Sequence, residues 1–270
     1  MAMTFSLHED FDLSGSESPF EISPVYSKSR SVKKTDEIHL FGEKMAVQVF
    51  EHYISRPRLN ELLEKNLKQF GATLVTGRTG TGKTALAADF SKRYKRAAWF
   101  SVEAAENDWE VFFRYFVESF SRILGERQRK KVLSEIGKMK MRTVARDVEY
   151  LLSRVELPPS DKPFLIVIDG VHNVFDAAWF AEFFTTLLYS LTTDIHLIML
   201  SRSNSPLPLW RLRSKQVLGV IDEKLLTFTL GETEKLFKSF DLPEEKAIFA
   251  FGKTYGRISR LEEFIGKCRK

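Results

Sequence analysis

Cysteine is almost missing: Cys268 is the only one in 270 residues, so no internal disulfide and no thiolate metal cluster can form. A reducing, cytoplasmic setting is the expectation. Long apolar runs are missing too. The most apolar segment, "AAWFAEFFTTLLYSL" from Ala177, is interrupted by Glu182 and is too short to span a bilayer. Residues 1–21 are polar and acidic, without the basic-then-apolar order of a signal peptide. Charge of one sign is scarce: 41 basic against 36 acidic residues leave +5, too mild and dispersed to argue for nucleic acid by itself. There is no internal repeat. What remains is ordinary soluble composition, 43% hydrophobic and 29% charged, enough for one large core or one core with a small appendage.

The pattern along the chain is α/β. Residues 1–37, rich in Ser, Asp, Glu and Lys, read as a flexible lead-in. From Arg56, "RPRLNELLEKNL" places Leu59, Leu62, Leu63 and Leu67 at helical spacing. Four apolar runs of strand length follow, at 72–77, 97–102, 164–169 and 196–201. Helical patterns at 83–94, 109–124, 143–155 and 175–191 separate them, and Trp109, Phe112, Phe113, Phe116, Phe120 and Leu124 fall on one helix face. Uninterrupted apolar strands alternating with helices predict a parallel sheet covered on both sides. Past 230 the strand signals stop, and patterns near 231–239, 243–254 and 259–268 predict a small helical domain behind an α/β domain spanning 38–229.

"LVTGRTGTGKTALAADF" sets Gly77-x-x-x-x-Gly82-Lys83-Thr84 between a strand and a helix. Glycines let the backbone wrap a phosphate chain with its N–H groups inward, and the helix start adds its positive end. Lys83 then bridges the β- and γ-phosphates and the Thr84 hydroxyl ligates Mg²⁺. The competing reading is a Gly-rich turn that only connects strand to helix. Asp169 ends the run "FLIVID" at the edge of the sheet where ligands bind, as the Mg²⁺ carboxylate or, alternatively, as a cap for the helix near 175. Hydrolysis needs a group that positions water. Gly170 cannot do so, and His172, Glu103 and Glu106 are candidate bases or simply satisfied loop residues. Arg202, at the end of "HLIMLS", reads either as a guanidinium reaching the γ-phosphate or as a surface arginine. The basic stretch 126–142 lacks aromatic interleaving and reads as a solvated helix sooner than a DNA contact.

Taken together, "YISRPRLNELL", "GRTGTGKT", "AAWFSVEAAENDW", "LIVIDGVH" and above all "LSRSNSPLPLWRLRSKQVLGVIDEKLLTFTLGETEKLF" resemble the nucleotide-binding domain of the STAND ATPases, over roughly residues 50–268. The branch is the one containing the maltose-regulon activator and the large LuxR-type transcriptional regulators. The resemblance implies a P-loop NTPase fold with a helical lid and an ATP/ADP switch that self-associates in the ATP state, with DNA binding not expected of this chain itself. It implies that Gly77, Arg78, Thr79, Gly80, Thr81, Gly82, Lys83 and Thr84 bind phosphates and Mg²⁺, that Asp169 serves the metal and that Arg202 reads the γ-phosphate. Ile54 and Arg56 would lie by the adenine and ribose, and "TYGRISRLEEF" would be the lid's threonine-glycine segment.

Three departures stand out: Gly170 where relatives carry a second acid, Ile258 where they often carry proline, and an end at Lys270 without output domains, as in a fragment or a stand-alone switch. The first points to slow or absent hydrolysis, with Gly170→Asp expected to raise it if that acid alone is missing. Two other functions stay open: an active AAA-like ATPase driving remodelling or nucleic-acid transactions, and a module whose nucleotide is purely structural.

Overall fold

The structure, a computed structural model, describes residues 42–50, 53–140 and 142–269. The lead-in expected at 1–37 lies outside them. A 3-10 turn, Gly42–Met45, comes first and packs against β2 (below). The elements then run α1 (Pro57–Gln69), β1 (Ala72–Thr76), α2 (Lys83–Ser91), β2 (Ala97–Ser101), α3 (Trp109–Ser121), α4 (Glu126–Gly137), α5 (Val144–Ser153), β3 (Phe164–Asp169), α6 (Phe180–Ser190) and β4 (Ile195–Ser201). They continue with α7 (Leu209–Ser214), β5 (Leu218–Ile221), α8 (Glu223–Leu226), α9 (Leu230–Lys238), α10 (Glu244–Thr254) and α11 (Ile258–Cys268).

The five strands form one parallel sheet in the order β2-β3-β4-β1-β5. Four of them are the apolar runs read from the sequence. The fifth, β5, was not expected: at four residues it is too short to stand out beside the helical patterns around it.

Alternation along the strands divides the interior in two. Phe164, Ile166, Ile168, Leu197 and Met199 face a core with α3, α5 and α6. Leu165, Val167, Ile198 and Leu200 face a second core with Leu59 and Leu63 of α1 and Leu86, Ala87 and Phe90 of α2. The first core is rich in aromatic rings: Phe112 lies 4.3 Å from Trp179 and 5.0 Å edge-on from Phe183, centroid to centroid. The α3 stripe of Phe112, Phe113, Phe116 and Phe120 is fully buried, while Leu124 is buried just beyond the helix end.

Local chemistry sets the helix ends. Pro57 opens α1, where a missing N–H costs nothing. Asp108 caps α3 by accepting from Val111 N, and Thr229 and Glu232 form a capping box at α9. The basic stretch makes α4, anchored by Val132 and Ile136 and otherwise largely turned to solvent, as its composition suggested. The C-terminal helices have their own small core of Phe228, Leu236, Phe237, Ala247, Ala250, Leu261 and Ile265, against which Ile54 and Ile258 pack. No helix among the described residues is long and apolar enough to cross a membrane.

Candidate functional site

The register of the sheet aligns the strand ends. Thr76 pairs with Ser201, Asp169 with Leu200, and Ser101 with Asp169, so the carboxyl ends of β1, β4, β3 and β2 form one rim. Asp169 shares the odd-numbered parity of Leu165 and Val167, the residues that face α2. The pleat therefore sends its carboxylate toward the start of α2, and Thr84 Oγ1 donates to Asp169 Oδ2 at 2.8 Å. Asp169 does not cap the following 3-10 turn, Val171–Val174, whose cap is Gly170.

Between β1 and α2 the chain folds into a tight loop, with Gly80 at φ +73° and Gly82 at φ +80°. A side chain at Gly80 has no room: its β-carbon would lie 2.8 Å from Ser259 Cβ on α11. The apex of the loop thus touches the C-terminal helical region. Lys83 is 7% exposed and turns back onto the loop, donating to Gly77 O (2.5 Å) and Arg78 O (2.8 Å). Burial lowers its pKa, partly offset by Asp169 and reinforced by Arg202. Burial also raises Asp169, against the Thr84 hydrogen bond and the charges of Lys83 and Arg202.

A cavity of about 500 Å³ opens over this rim. It is lined by Thr79, Gly80, Gly82, Lys83 and Thr84 of the loop, by Asp169, His172 and Arg202 from the strand ends, and by Tyr53, Ile54 and Arg56 on the other side. Phe228, Leu236, Phe240 and Ile258 cover it from the C-terminal helices. Every sequence-named site residue except Gly77, Arg78, Thr81 and the candidate base Glu106 lines this one space. Arg78 faces elsewhere: its backbone N–H and guanidinium donate to Glu223 at 3.0 and 2.7 Å. Those bonds hold Glu223 down to about pKa 2.

The cavity suits a polyphosphate with a hard cation. Glycine N–H groups, a lysine amine and a helix start sit beside a hydroxyl and a carboxylate, the oxygen donors that Mg²⁺ takes. No group of three or more His, Cys, Asp or Glu among the described residues offers a metal cage of its own. Arg56 and His172 line the cavity, and each keeps one nitrogen, Nε and Nδ1, buried without a hydrogen-bond partner among the described residues.

Among the candidate bases, Glu106 is consumed by structure. It is 1% exposed, accepts from Glu103 N in a capping box and pairs with Lys44. Glu103 lines the cavity but is ion-paired to Lys44 at 3.0 Å. His172 lines it too, with its pKa lowered by burial and then by Arg202 and Lys83.

The expectation for Gly170→Asp needs correction. Gly170 has φ +83°, a region that favours glycine, and a β-carbon there would lie 2.6 Å from Val102 O. The position is closed to an acid by the backbone, and Asn173 Nδ2, donating to Val102 O at 2.8 Å, fixes the same turn. An aspartate there would strain the turn that places it.

Arg56, expected beside adenine and ribose, also ties the core to the C-terminal helices. It is 2% exposed and donates to Leu226 O (2.7 Å) and Thr227 O (3.0 Å). It also lies 3.4 Å from Glu232 Oε2, and its guanidinium sits 4.4 Å from the centre of the Phe228 ring. Arg58 joins it, donating to Leu225 O (2.7 Å) and to both oxygens of Glu232 (3.1 Å each). Burial works against the charge of Glu232, but Thr229 N–H and the two arginines outweigh it and lower its pKa. Arg58, Glu223 and Glu232 were missed in the sequence, where nothing links residues 170 positions apart.

Fold and loop together define a P-loop nucleotide-binding protein. Residues 56–205 match the AAA ATPase domain family, and the chain belongs to it. Its relatives include the HTH-type transcriptional regulator MalT of Yersinia enterocolitica, 28% identical over 165 residues, covering 61% of this chain and 18% of MalT. They also include the serine/threonine-protein kinase PknK of Mycobacterium tuberculosis, 26% identical over 189 residues, covering 68% of this chain and 16% of PknK. The chain thus spans less than a fifth of either relative. In fold it is similar to the Walker-type ATPase paby2304 of Pyrococcus abyssi, with a TM-score of 0.51 at 16% identity, over 80% of this chain and 68% of that one.

Proposed function

We propose that this chain is an ATP/ADP-binding switch of the STAND type, with slow or absent hydrolysis, acting in a transcriptional or other signal response. The observation that supports it most is the single cavity in which phosphate loop, Asp169, Arg202 and the C-terminal helices meet. Gly80, Gly82 and Lys83 hold the phosphates, Thr84 and Asp169 hold Mg²⁺, and Arg202 on the neighbouring strand reads the γ-phosphate. Ile54 lies on the base side. Bound there, Mg²⁺ would supply charge neutralisation to the phosphates.

The helices from 230 onward act as the lid, and the ATP state exposes surfaces for self-association or a partner protein. DNA contact is not expected of this chain itself, since its basic stretch lacks the aromatic interleaving of a nucleic-acid surface. A reducing cytoplasmic setting fits the lone cysteine. Titrating the chain with ATP and ADP, with sizing of both states, tests the reading. Micromolar or tighter binding with a larger species in ATP is expected; no binding of either nucleotide overturns it.

A further inference from the structure

Three carboxylates line the cavity, and two of them are engaged. Asp169 accepts from Thr84 Oγ1 at 2.8 Å, and Glu103 is paired with Lys44 at 3.0 Å. Glu262, on α11, has no hydrogen bond or ion pair to any described residue. Desolvation raises its pKa, and no neighbouring cation opposes that shift. The residue is exposed, so it stands at the rim of the cavity.

The place of Glu262 along the cavity narrows what it meets. Ser259, in the first turn of α11, touches the apex of the phosphate loop, where a β-carbon on Gly80 would lie 2.8 Å from its Cβ. Ile258 and Glu262 are four residues apart and line the same space, so they share the helix face that looks into it. At 1.5 Å per residue, Glu262 stands roughly 5 Å along the helix axis from the contact at Ser259. That is one step beyond the phosphates, on the side where Ile54, Phe228, Leu236 and Phe240 supply apolar side chains. A carboxylate offers acceptors alone, so the group that meets it must bring donors. The first donors past the phosphates of a nucleotide are the hydroxyls of its ribose, and acids accept from ribose hydroxyls in dinucleotide-binding folds.

We propose that Glu262 accepts hydrogen bonds from the ribose hydroxyls of the bound nucleotide and makes the site select ribonucleotides over their deoxy counterparts. This deepens the nucleotide-switch reading and rests on it. A hydroxyl pair offsets the desolvation of the carboxylate, which no described residue does. The acid sits on the C-terminal helices while Lys83 and Thr84 sit on the core, so the sugar joins the two parts across the cavity. ATP and ADP carry the same ribose. Glu262 therefore serves both states alike and leaves the choice between them to the phosphate end.

The test is the affinity of the whole chain for Mg-ATP and for the Mg complex of 2′,3′-dideoxy-ATP, which lacks both hydroxyls, read by calorimetric titration. The parent is expected to bind dideoxy-ATP on the order of 10- to 100-fold more weakly than ATP. Glu262→Ala is expected to bind the two within about twofold of each other, near the parent's affinity for dideoxy-ATP. Glu262→Gln, which keeps one acceptor oxygen, is expected to retain part of the preference. A full preference in Glu262→Ala overturns the proposal, as does an unfolding midpoint lowered in both variants, which assigns the residue to the fold. Inosine triphosphate, which lacks the adenine amine, separates sugar from base. If Glu262→Ala loses the preference for ATP over inosine triphosphate and keeps the one for the sugar, the acid meets the base and the proposal falls. A parent chain that binds ATP and dideoxy-ATP equally overturns the proposal while leaving the switch reading standing; a parent chain that binds neither overturns both.

Discussion

Gly170 lies against the carbonyl of Val102 so closely that a β-carbon on it would stand 2.6 Å from that oxygen. The absent second acid is thus a property of the backbone at the end of β3. Gly170→Asp is expected to lose stability on the order of 1–3 kcal/mol through strain at a positive φ, and Gly170→Ala to lose a comparable amount. Neither gains turnover. Denaturant unfolding with a parallel Mg-ATP assay checks this, and faster hydrolysis by the aspartate variant would contradict it.

Lys83 spends its amine on loop carbonyls at 2.5 and 2.8 Å. Those contacts are to neighbours within the same loop, so Lys83→Ala leaves the fold standing. It removes a charged donor to phosphate, and ATP and ADP are expected to bind roughly 10- to 100-fold more weakly. Calorimetric titration reads the affinity and circular dichroism the fold. An unfolded variant would point to the structural-nucleotide alternative.

Glu232 is the buried counter-charge of Arg56 and Arg58 at the junction of core and C-terminal helices. Glu232→Ala leaves Arg56 and Arg58 with only their carbonyl partners and is expected to destabilise the protein by about 1–3 kcal/mol, with Glu232→Gln losing less. Faster proteolysis at residues 225–229 would show that the junction has loosened. A pair of variants with parental stability and cleavage would show that the clamp carries no weight.

His196 gives the pH dependence a defined source. It is buried in β4, with Nδ1 donating to Phe70 O at 3.1 Å and Nε2 accepting from Thr73 Oγ1 at 3.0 Å. Burial lowers its pKa from 6.5 to about 4. Between those values the unfolded chain binds a proton that the folded chain does not, so stability rises with pH from about 4 to 6.5 and falls on acidification. The full contribution is about 3 kcal/mol. His196→Gln is expected to flatten unfolding curves across that window; an unchanged slope would assign it to other groups.

Much of this site was legible because its parts are local patterns. Gly77 to Thr84 is contiguous, and Asp169 and Arg202 each end an apolar run, so a parallel sheet had to bring them to one rim. β5 escaped notice because four residues carry too little periodicity. The Arg56–Arg58–Glu232 clamp and the Arg78–Glu223 pair escaped because they join segments far apart in the chain. Gly170 was read for the side chain it lacks, whereas its meaning lies in a φ angle and a neighbouring carbonyl that no pattern reveals. His172 was in view from the start, and the structure sets the residue among those that line the cavity.

The central claim is that the chain holds nucleotide and cleaves it slowly or not at all. Measuring the nucleotide retained by the purified chain together with its steady-state Mg-ATP turnover tests both halves at once. The account predicts bound ADP and turnover no faster than about 10⁻² s⁻¹, the range of switch GTPases that carry their arginine in cis. A chain that purifies empty and turns over ATP at about 1 s⁻¹ or faster would contradict it.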